Sequence, residues 1–250
     1  MNTRPLFIST FCCIDHPLAE AFATLAEHTS HVEILSDGLH DLLMAGDLCS
    51  EYPFSYSVHS PASDVNIASI NERMRTASLS VLDDMLAACA RIGAEHLVVH
   101  PGYSPYEQVK DRSYACLLHS LDTLAVMQEE HGIRVCVENM GAWQCCHFRT
   151  PAFLPELAER GLDCTLDCGH AQINGNLDEF LAAGEFNHIH LHDNGGTSDD
   201  HLACGAGTID FDDLWKQLPN QATLVIETRE LDAAQQSLRY LSSFMNGGSS

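Results

Sequence analysis

The residues able to do chemistry stand at the ends of short apolar runs. Val58-His59, Val99-His100, Val137-Glu138, Leu166-Asp167 and Ile226-Glu227 each close such a run, and His188-Ile189-His190-Leu191-His192-Asp193 alternates histidine with aliphatic residues. His170 follows Asp167 by three positions, and Asp199-Asp200-His201 lies in the stretch after His192. Taken singly, each has an ordinary reading: a strand-end histidine is usually a hydrogen-bonded polar residue, and a strand-end carboxylate usually caps the next helix. Six consecutive runs ending alike are different. If the runs are strands of one sheet, their carboxylates and imidazoles converge on one rim, where unpaired like charges are costly. A divalent cation relieves that cost, and a mixed His/carboxylate shell suits Zn²⁺ or Mn²⁺. His188, His190 and His192 share a strand face, and at most one or two of them can reach the rim. His188 reads as a hydrogen-bonded core histidine.

The elements that must position these residues alternate along the chain. Strands are expected at Leu6–Cys12, His31–Leu35, Phe54–His59, His96–His100, Arg134–Glu138, Asp163–Asp167, Phe186–His192 and Thr223–Glu227. Helices are expected at Leu18–Glu27, His40–Cys49, Asn71–Ile92, Tyr106–Glu130, Pro151–Arg160, Leu177–Ala183, Phe211–Leu218 and Leu231–Phe244. Leu117, Leu118, Leu121, Leu124 and Ala125 fall on one stripe of a 3.6-residue period. The strand runs are nearly continuously apolar, as in parallel strands covered on both faces. Eight strands alternating with eight helices predict an α/β fold, a single (β/α)8 TIM barrel over 1–245 with a flexible tail over 246–250. The architectural alternative is a doubly wound open sheet, against which no Gly-rich phosphate loop follows the first strand; Cys12-Cys13-Ile14-Asp15 stands there.

The 250 residues carry 12 Lys+Arg against 35 Asp+Glu, a formal charge of −23 with His neutral. That surface repels polyanions and argues against duplex nucleic acid or an anionic membrane as partner. The basic residues are scattered, and only Arg149 and Arg229 fall clearly in loops after strands, too few for counterion-release binding. The loop after the second strand is short, Ser36-Asp37-Gly38. The 11 Cys sit largely in apolar runs and include no CxxC pair, so a Cys-based zinc site has no support. No signal-peptide pattern or membrane-length apolar run is present, and a cytoplasmic protein is expected. A homo-oligomer is compatible with these features.

The blocks HSPASDVNIAS, LVVHPGY, VCVENM, LDCGHAQING, HIHLHDN, DDHLACGAGTIDF and VIET, in this order, resemble the xylose isomerase-like TIM-barrel superfamily. That group holds sugar and sugar-phosphate isomerases and epimerases as well as endonuclease IV (AP endonuclease family 2). The resemblance runs from about residue 31 to 230. The isomerase and epimerase pattern implies one metal on Glu138, Asp167, His190 and Glu227. The endonuclease IV pattern implies three zinc ions: His59, His100 and Glu138 at the first, Glu138 shared with Asp167, His190 and Glu227 at the second, and His170, Asp199 and His201 at the third. Asp199 is chosen over its neighbour Asp200 from the spacing to Gly205.

The leading functional expectation is a metal-dependent isomerase or epimerase acting on a small sugar or sugar-phosphate-like polyhydroxy carbonyl compound through an ene-diolate. Glu138 and Glu227 would be the catalytic acid/base pair, with His170 and Arg229 binding substrate oxygens. Arg229 has an alternative reading as a surface ion pair with Glu230 or Asp232. The runner-up is an endonuclease IV-like multi-zinc phosphoesterase acting on a small phosphoester. A non-catalytic metal-binding barrel is the third. One ion would favour the isomerase and three the phosphoesterase.

Overall fold

Strands form where the chain is β-branched and aliphatic for four or five residues: β1 (Leu6–Ser9), β2 (His31–Leu35), β3 (Ser55–His59), β4 (His96–Val99), β5 (Arg134–Glu138), β6 (Asp163–Asp167), β7 (His188–Leu191) and β8 (Thr223–Ile226). In this computed structural model, which describes residues 5–184 and 186–246, each strand pairs in parallel with the next and β8 pairs with β1. The result is a closed (β/α)8 TIM barrel. The helices are α1 (Leu18–Leu25), α2 (Leu42–Ala45), α3 (Glu72–Ile92), α4 (Lys110–His131), α5 (Leu154–Ala158), α6 (Cys168–Asn174), α7 (Leu177–Ala183), α8 (Phe211–Gln217) and α9 (Leu231–Asn246). Among the described residues no helix is long and apolar enough to cross a membrane. The tail expected at 246–250 lies, from residue 247 on, outside the described residues.

The apolar core occupies the shell between strands and helices. Val32, Ile34, Val58, Leu97, Val99, Val135, Val137, Leu166, Ile189, Leu191, Leu224 and Ile226 face it, with Leu117, Leu121 and Leu124 of the α4 stripe packed opposite. The alternate residues point into the barrel, and there the filling is polar: Glu33, Ser57, His59, Glu138, Thr165, Asp167, His188 and His190 are all buried. Val98, Cys136 and Val225 share that inward face with them, so it is mixed where the outward face is apolar.

Several boundaries differ from the sequence expectation for local reasons. β1 stops at Ser9 because Thr10–Cys13 turns into a 3-10 segment whose first free N–H, that of Phe11, is accepted by Ser9 Oγ at 3.3 Å. The helix expected over His40–Cys49 is one turn long and passes into 3-10 geometry at Gly46. Helix α6 was not expected; Gly169 and Asn174 are poor helix formers. It forms because Asp167 caps it, accepting the His170 N–H at 2.6 Å, and Gly175 ends it at φ 68°.

His96 sits buried at the start of β4, its ring 5.1 Å from that of His188, with its Nε2 unpartnered. Burial, together with charge at His188 and Arg134, pulls its pKa down to about 3 against the opposing pull of Glu33. The fold holds His96 neutral, whereas the unfolded chain takes up a proton below about pH 6.5. Its contribution to stability is thus complete above pH 6.5 and lost as pH falls from there toward 3. Denaturation of His96→Gln across that range should show a shallower acid loss than the parent; identical slopes would remove His96 from the account.

Candidate metal centre

The C-terminal ends of β3 to β8 deliver the polar groups to one rim. Glu138, at the end of β5, stands at the middle. Its Oε2 is 3.0 Å from His59 Nε2 and 3.2 Å from His100 Nε2, and its Oε1 is 3.2 Å from His170 Nδ1 and 3.7 Å from His190 Nδ1. On one side lies the set His59, His100 and Glu138. On the other lies Glu138, Asp167, His190 and Glu227, whose ligating atoms are all within 4.8 Å of one another. His190 Nδ1 is the common neighbour there, 3.3 Å from Glu227 Oε2 and 3.8 Å from Asp167 Oδ2.

The remaining expected donors arrange themselves differently. Asp199 Oδ2 is 3.3 Å from His170 Nε2 and 3.1 Å from His201 Nε2, but the three do not form one compact set. His192 does so in place of His170, grouping with Asp199 and His201 and separately with Asp167 and His170. Its Nε2 is 3.1 Å from Asp167 Oδ1 and 3.7 Å from Asp199 Oδ1, and its ring stacks on His201 at 4.0 Å. His192 was the residue that sequence reasoning passed over; the signal was its place as the third alternating histidine. Gly169 is the concession to it, since a Cβ there would collide with the His192 ring.

The imidazoles are held with one nitrogen turned inward. His59 Nδ1 lies 2.7 Å from Ser60 O, His170 Nδ1 2.9 Å from Asn139 O, and His201 Nδ1 2.8 Å from Glu227 O. A backbone carbonyl accepts only from N–H, so in the neutral form of each ring Nε2 turns its lone pair toward a carboxylate-rich centre, as ligating histidines do. His201 adopts φ 46°, a left-handed conformation that a non-glycine residue holds at a cost. The Asn139 amide locks Asp167 by accepting its N–H at 2.8 Å and donating to its carbonyl at 3.0 Å.

Asp193 organises the loop that carries Asp199 and His201. Its buried carboxylate accepts the N–H groups of Asn194, Gly205, Gly207, Thr208 and Ile209 at 2.8–3.1 Å. Unsatisfied buried donors cost about 1–3 kcal/mol each. Asp193→Asn, which replaces one acceptor oxygen by an NH₂ group, should therefore lower stability by at least about 2 kcal/mol in urea titration. An unchanged midpoint would assign the loop's order to other contacts.

Burial tends to raise the carboxyl pKa values, but the surrounding imidazoles prevail. Charge and hydrogen bonds from His100, with hydrogen bonds from His170 and His190, hold Glu138 well below the usual range. His170 and His192 lower Asp167, and His190 lowers Glu227. Conversely, burial pulls the imidazoles down, yet the Glu138 hydrogen bond lifts His59 to about 8 and the Asp199 hydrogen bond lifts His201 to about 9. Imidazole and carboxylate charges thus balance in this centre, and a divalent cation would take the place of the imidazole protons. His190 Nδ1 and Nε2, His192 Nδ1, Asp199 Oδ1 and, deeper in the barrel, Glu33 Oε1 are buried without a hydrogen-bond partner. Mixed N/O donors with free lone pairs fit a divalent cation.

Above the donors opens a cavity of about 170 Å³ walled by Phe11, Leu35, Met140 and Trp143. Trp143 packs edge-on against His170 at 5.6 Å. Arg229 is not among the lining residues. Half-exposed, it pairs with Asp15 at 3.1 Å and lies over the Phe11 ring at 5.4 Å, so its ionic partner is neither Glu230 nor Asp232. Arg149 is committed to Gly141 O and Asn174 Oδ1. A larger groove of about 650 Å³ runs between α5 and α7, but it is walled mainly by apolar residues and includes no donor cluster.

Known proteins resemble this chain in sequence and fold to differing degrees. An uncharacterized protein of Methanocaldococcus jannaschii is 35% identical over 215 residues, covering 84% of this chain and 85% of that protein. A probable endonuclease 4 of Mycobacterium tuberculosis is 30% identical over 169 residues, covering 62% of this chain and 65% of that protein. The crystal structure of a D-tagatose 3-epimerase-like protein matches with a TM-score of 0.87 at 28% identity, covering 97% of each chain. The IOLI protein, crystallised with a bound zinc atom, shares the fold with a TM-score of 0.78 at 17% identity, covering 96% of this chain and 95% of that one. The family model described as xylose isomerase-like TIM barrel matches residues 30–244, and with most of its length so matched the chain belongs to that family.

Proposed function

We propose that the protein is a metal-dependent isomerase or epimerase of a small polyhydroxy carbonyl compound. The observation that carries this reading is the pair of buried carboxylates, Glu138 and Glu227, set around His190 Nδ1 below a small, partly apolar cavity. Similarity to the D-tagatose 3-epimerase-like structure supports it. Glu138, Asp167, His190 and Glu227 would hold the ion. Zn²⁺ or Mn²⁺ bound there polarises a carbonyl and its neighbouring hydroxyl.

The chain's own groups would do the rest. One of Glu138 and Glu227 removes a proton from the carbon beside the carbonyl, and the other returns a proton. Protonated His170, its Nδ1 held by Asn139 O and its Nε2 facing Asp199, would donate a hydrogen bond from Nε2 to a substrate oxygen. Phe11, Leu35, Met140 and Trp143 shield the reacting carbon from water. No arginine or lysine lines the cavity, so a neutral sugar suits it better than a phosphorylated one, and the formal charge of −23 disfavours duplex nucleic acid.

A second reading has its own observation. His59 and His100 meet Glu138 on the side away from Asp167, and Asp199 with His201 adds further donors, more than one ion needs. With the similarity to probable endonuclease 4, this favours a multi-metal phosphoesterase acting on a small phosphoester. Isotopes separate the two. In deuterium oxide with Mn²⁺ or Zn²⁺, a panel of ketoses and aldoses should yield a product carrying deuterium at the carbon next to the carbonyl. Solvent ¹⁸O in phosphate released from a phosphoester panel, with neither deuterium nor isomerised product in the sugar panel, would reject the isomerase and establish the second reading.

A further inference from the structure

Beneath the rim, inside the barrel, lies a carboxylate that no part of the proposed chemistry uses. Glu33 points inward from the middle of β2 and is fully buried. Its Oε1 is 2.9 Å from His190 Nε2, a close charge contact that does not reach hydrogen-bond geometry. Its Oε2 accepts from Ser57 Oγ at 2.8 Å and lies 2.7 Å from His188 Nε2. Ser57 is the residue paired with Glu33 in the β2–β3 register, whereas His188 reaches it across the barrel from β7. An ionised side chain in a barrel interior carries a heavy desolvation cost unless its partners repay it. Ser57 and His188 hold this one through Oε2, and its Oε1 is thereby set against the His190 ring.

We propose that Glu33 is a positioning residue that sets the tautomer and ring orientation of His190, so that Nδ1 offers its lone pair to the metal. The inference rests on the reading of His190 as a ligand. Neutral imidazole carries one ring proton. With Nδ1 turned to Glu227, Glu138 and Asp167, where an ion would be held, the proton belongs on Nε2, and there it faces the Glu33 carboxylate. Glu33 therefore favours the ion-bound arrangement of the ring, with Nδ1 ligating and the proton on Nε2. Ser57 and His188 matter because they hold the second oxygen and stop the carboxylate from swinging away from His190. Glu33 lies below the ligand plane, out of reach of any molecule in the cavity, so it acts only through His190. Partners of this kind typically change metal affinity by about 10–100-fold.

Cobalt(II) is the probe, because its visible absorption reports ligand geometry and its affinity is measured by competition with a chelator. His190→Ala, Glu33→Ala, Glu33→Gln and Ser57→Ala are compared with the parent. The expected order of affinity is parent, then Ser57→Ala, then Glu33→Gln, then Glu33→Ala about 10–100-fold weaker, with His190→Ala weakest. The Glu33 variants should also shift the cobalt absorption bands. In the zinc-loaded protein, the slowly exchanging, downfield His190 Nε2–H resonance of the parent should disappear in Glu33→Ala. Glu33→Gln keeps the volume and one acceptor oxygen, so with Ser57→Ala it decides the matter if Glu33→Ala does not fold. If His190→Ala loses cobalt while Glu33→Gln and Ser57→Ala keep both the parental affinity within twofold and the parental spectrum, the positioning role is overturned and the metal reading stands. If His190→Ala binds cobalt like the parent, both fall.

Discussion

Glu227→Gln at full metal occupancy should lower turnover by about 10²–10⁴-fold, the usual worth of a general acid or base. That loss corresponds to about 2.7–5.5 kcal/mol of transition-state stabilisation. The amide keeps the size of the side chain and one carbonyl oxygen able to face the ion. It removes the proton acceptor. Glu227 lies in one donor set, with Glu138, Asp167 and His190, and no second cluster depends on it. The variant therefore separates proton transfer from metal retention more cleanly than Glu138→Gln, which disturbs both sets. The measurement pairs metal analysis with the rate of deuterium entry into the sugar. A rate within tenfold of the parent, with metal in place, would mean that Glu227 is a ligand and not a base, and would remove the two-carboxylate mechanism. Phe11→Ala, on the cavity wall, should by comparison raise KM more than it lowers kcat, since it removes contact area and no proton carrier.

The sequence carried this site to the extent that chemistry coincides with strand ends. Asp167, Glu138 and His59 close their strands in the sequence and in the barrel alike, because in a parallel barrel every strand end faces the same rim. Glu33 was illegible for the opposite reason. It interrupts an apolar run midway, where a single polar residue normally reads as a solvent-facing position, and its partner His188 is 155 residues away. Nothing local announces that contact. His192 failed differently. Alternation put it on the same face as His188 and His190, but β7 ends at Leu191, and the turn that follows brings His192 against Asp167 and His201. Arg229 shows the limit of nearest-neighbour pairing: Glu230 and Asp232 were adjacent in sequence, yet the loop after β1 supplies Asp15, 214 residues back along the chain.

Glu138→Ala should cost the protein more metal than any other single change at the rim. Glu138 belongs to two donor sets, with one oxygen toward His59 and His100 and the other toward His170 and His190. Removing it takes the only carboxylate from the first set and one of three from the second. The penalty should exceed the upper end, about 100-fold, of what a change behind the ligands does to affinity. It should also destabilise the metal-free protein by about 3–5 kcal/mol, since His59, His170 and His190 are left as buried imidazoles without their shared counter-charge. His201→Ala provides the contrast. It sits in the outer set with Asp199 and His192, so the ion on Glu138, Asp167, His190 and Glu227 should remain, and only additional equivalents should be lost. Zinc titration followed by mass spectrometry under native conditions reads both numbers from the same samples. Equal losses in the two variants would mean that the donors act as one undivided cluster, and the assignment of a primary ion to Glu138, Asp167, His190 and Glu227 would have to be abandoned.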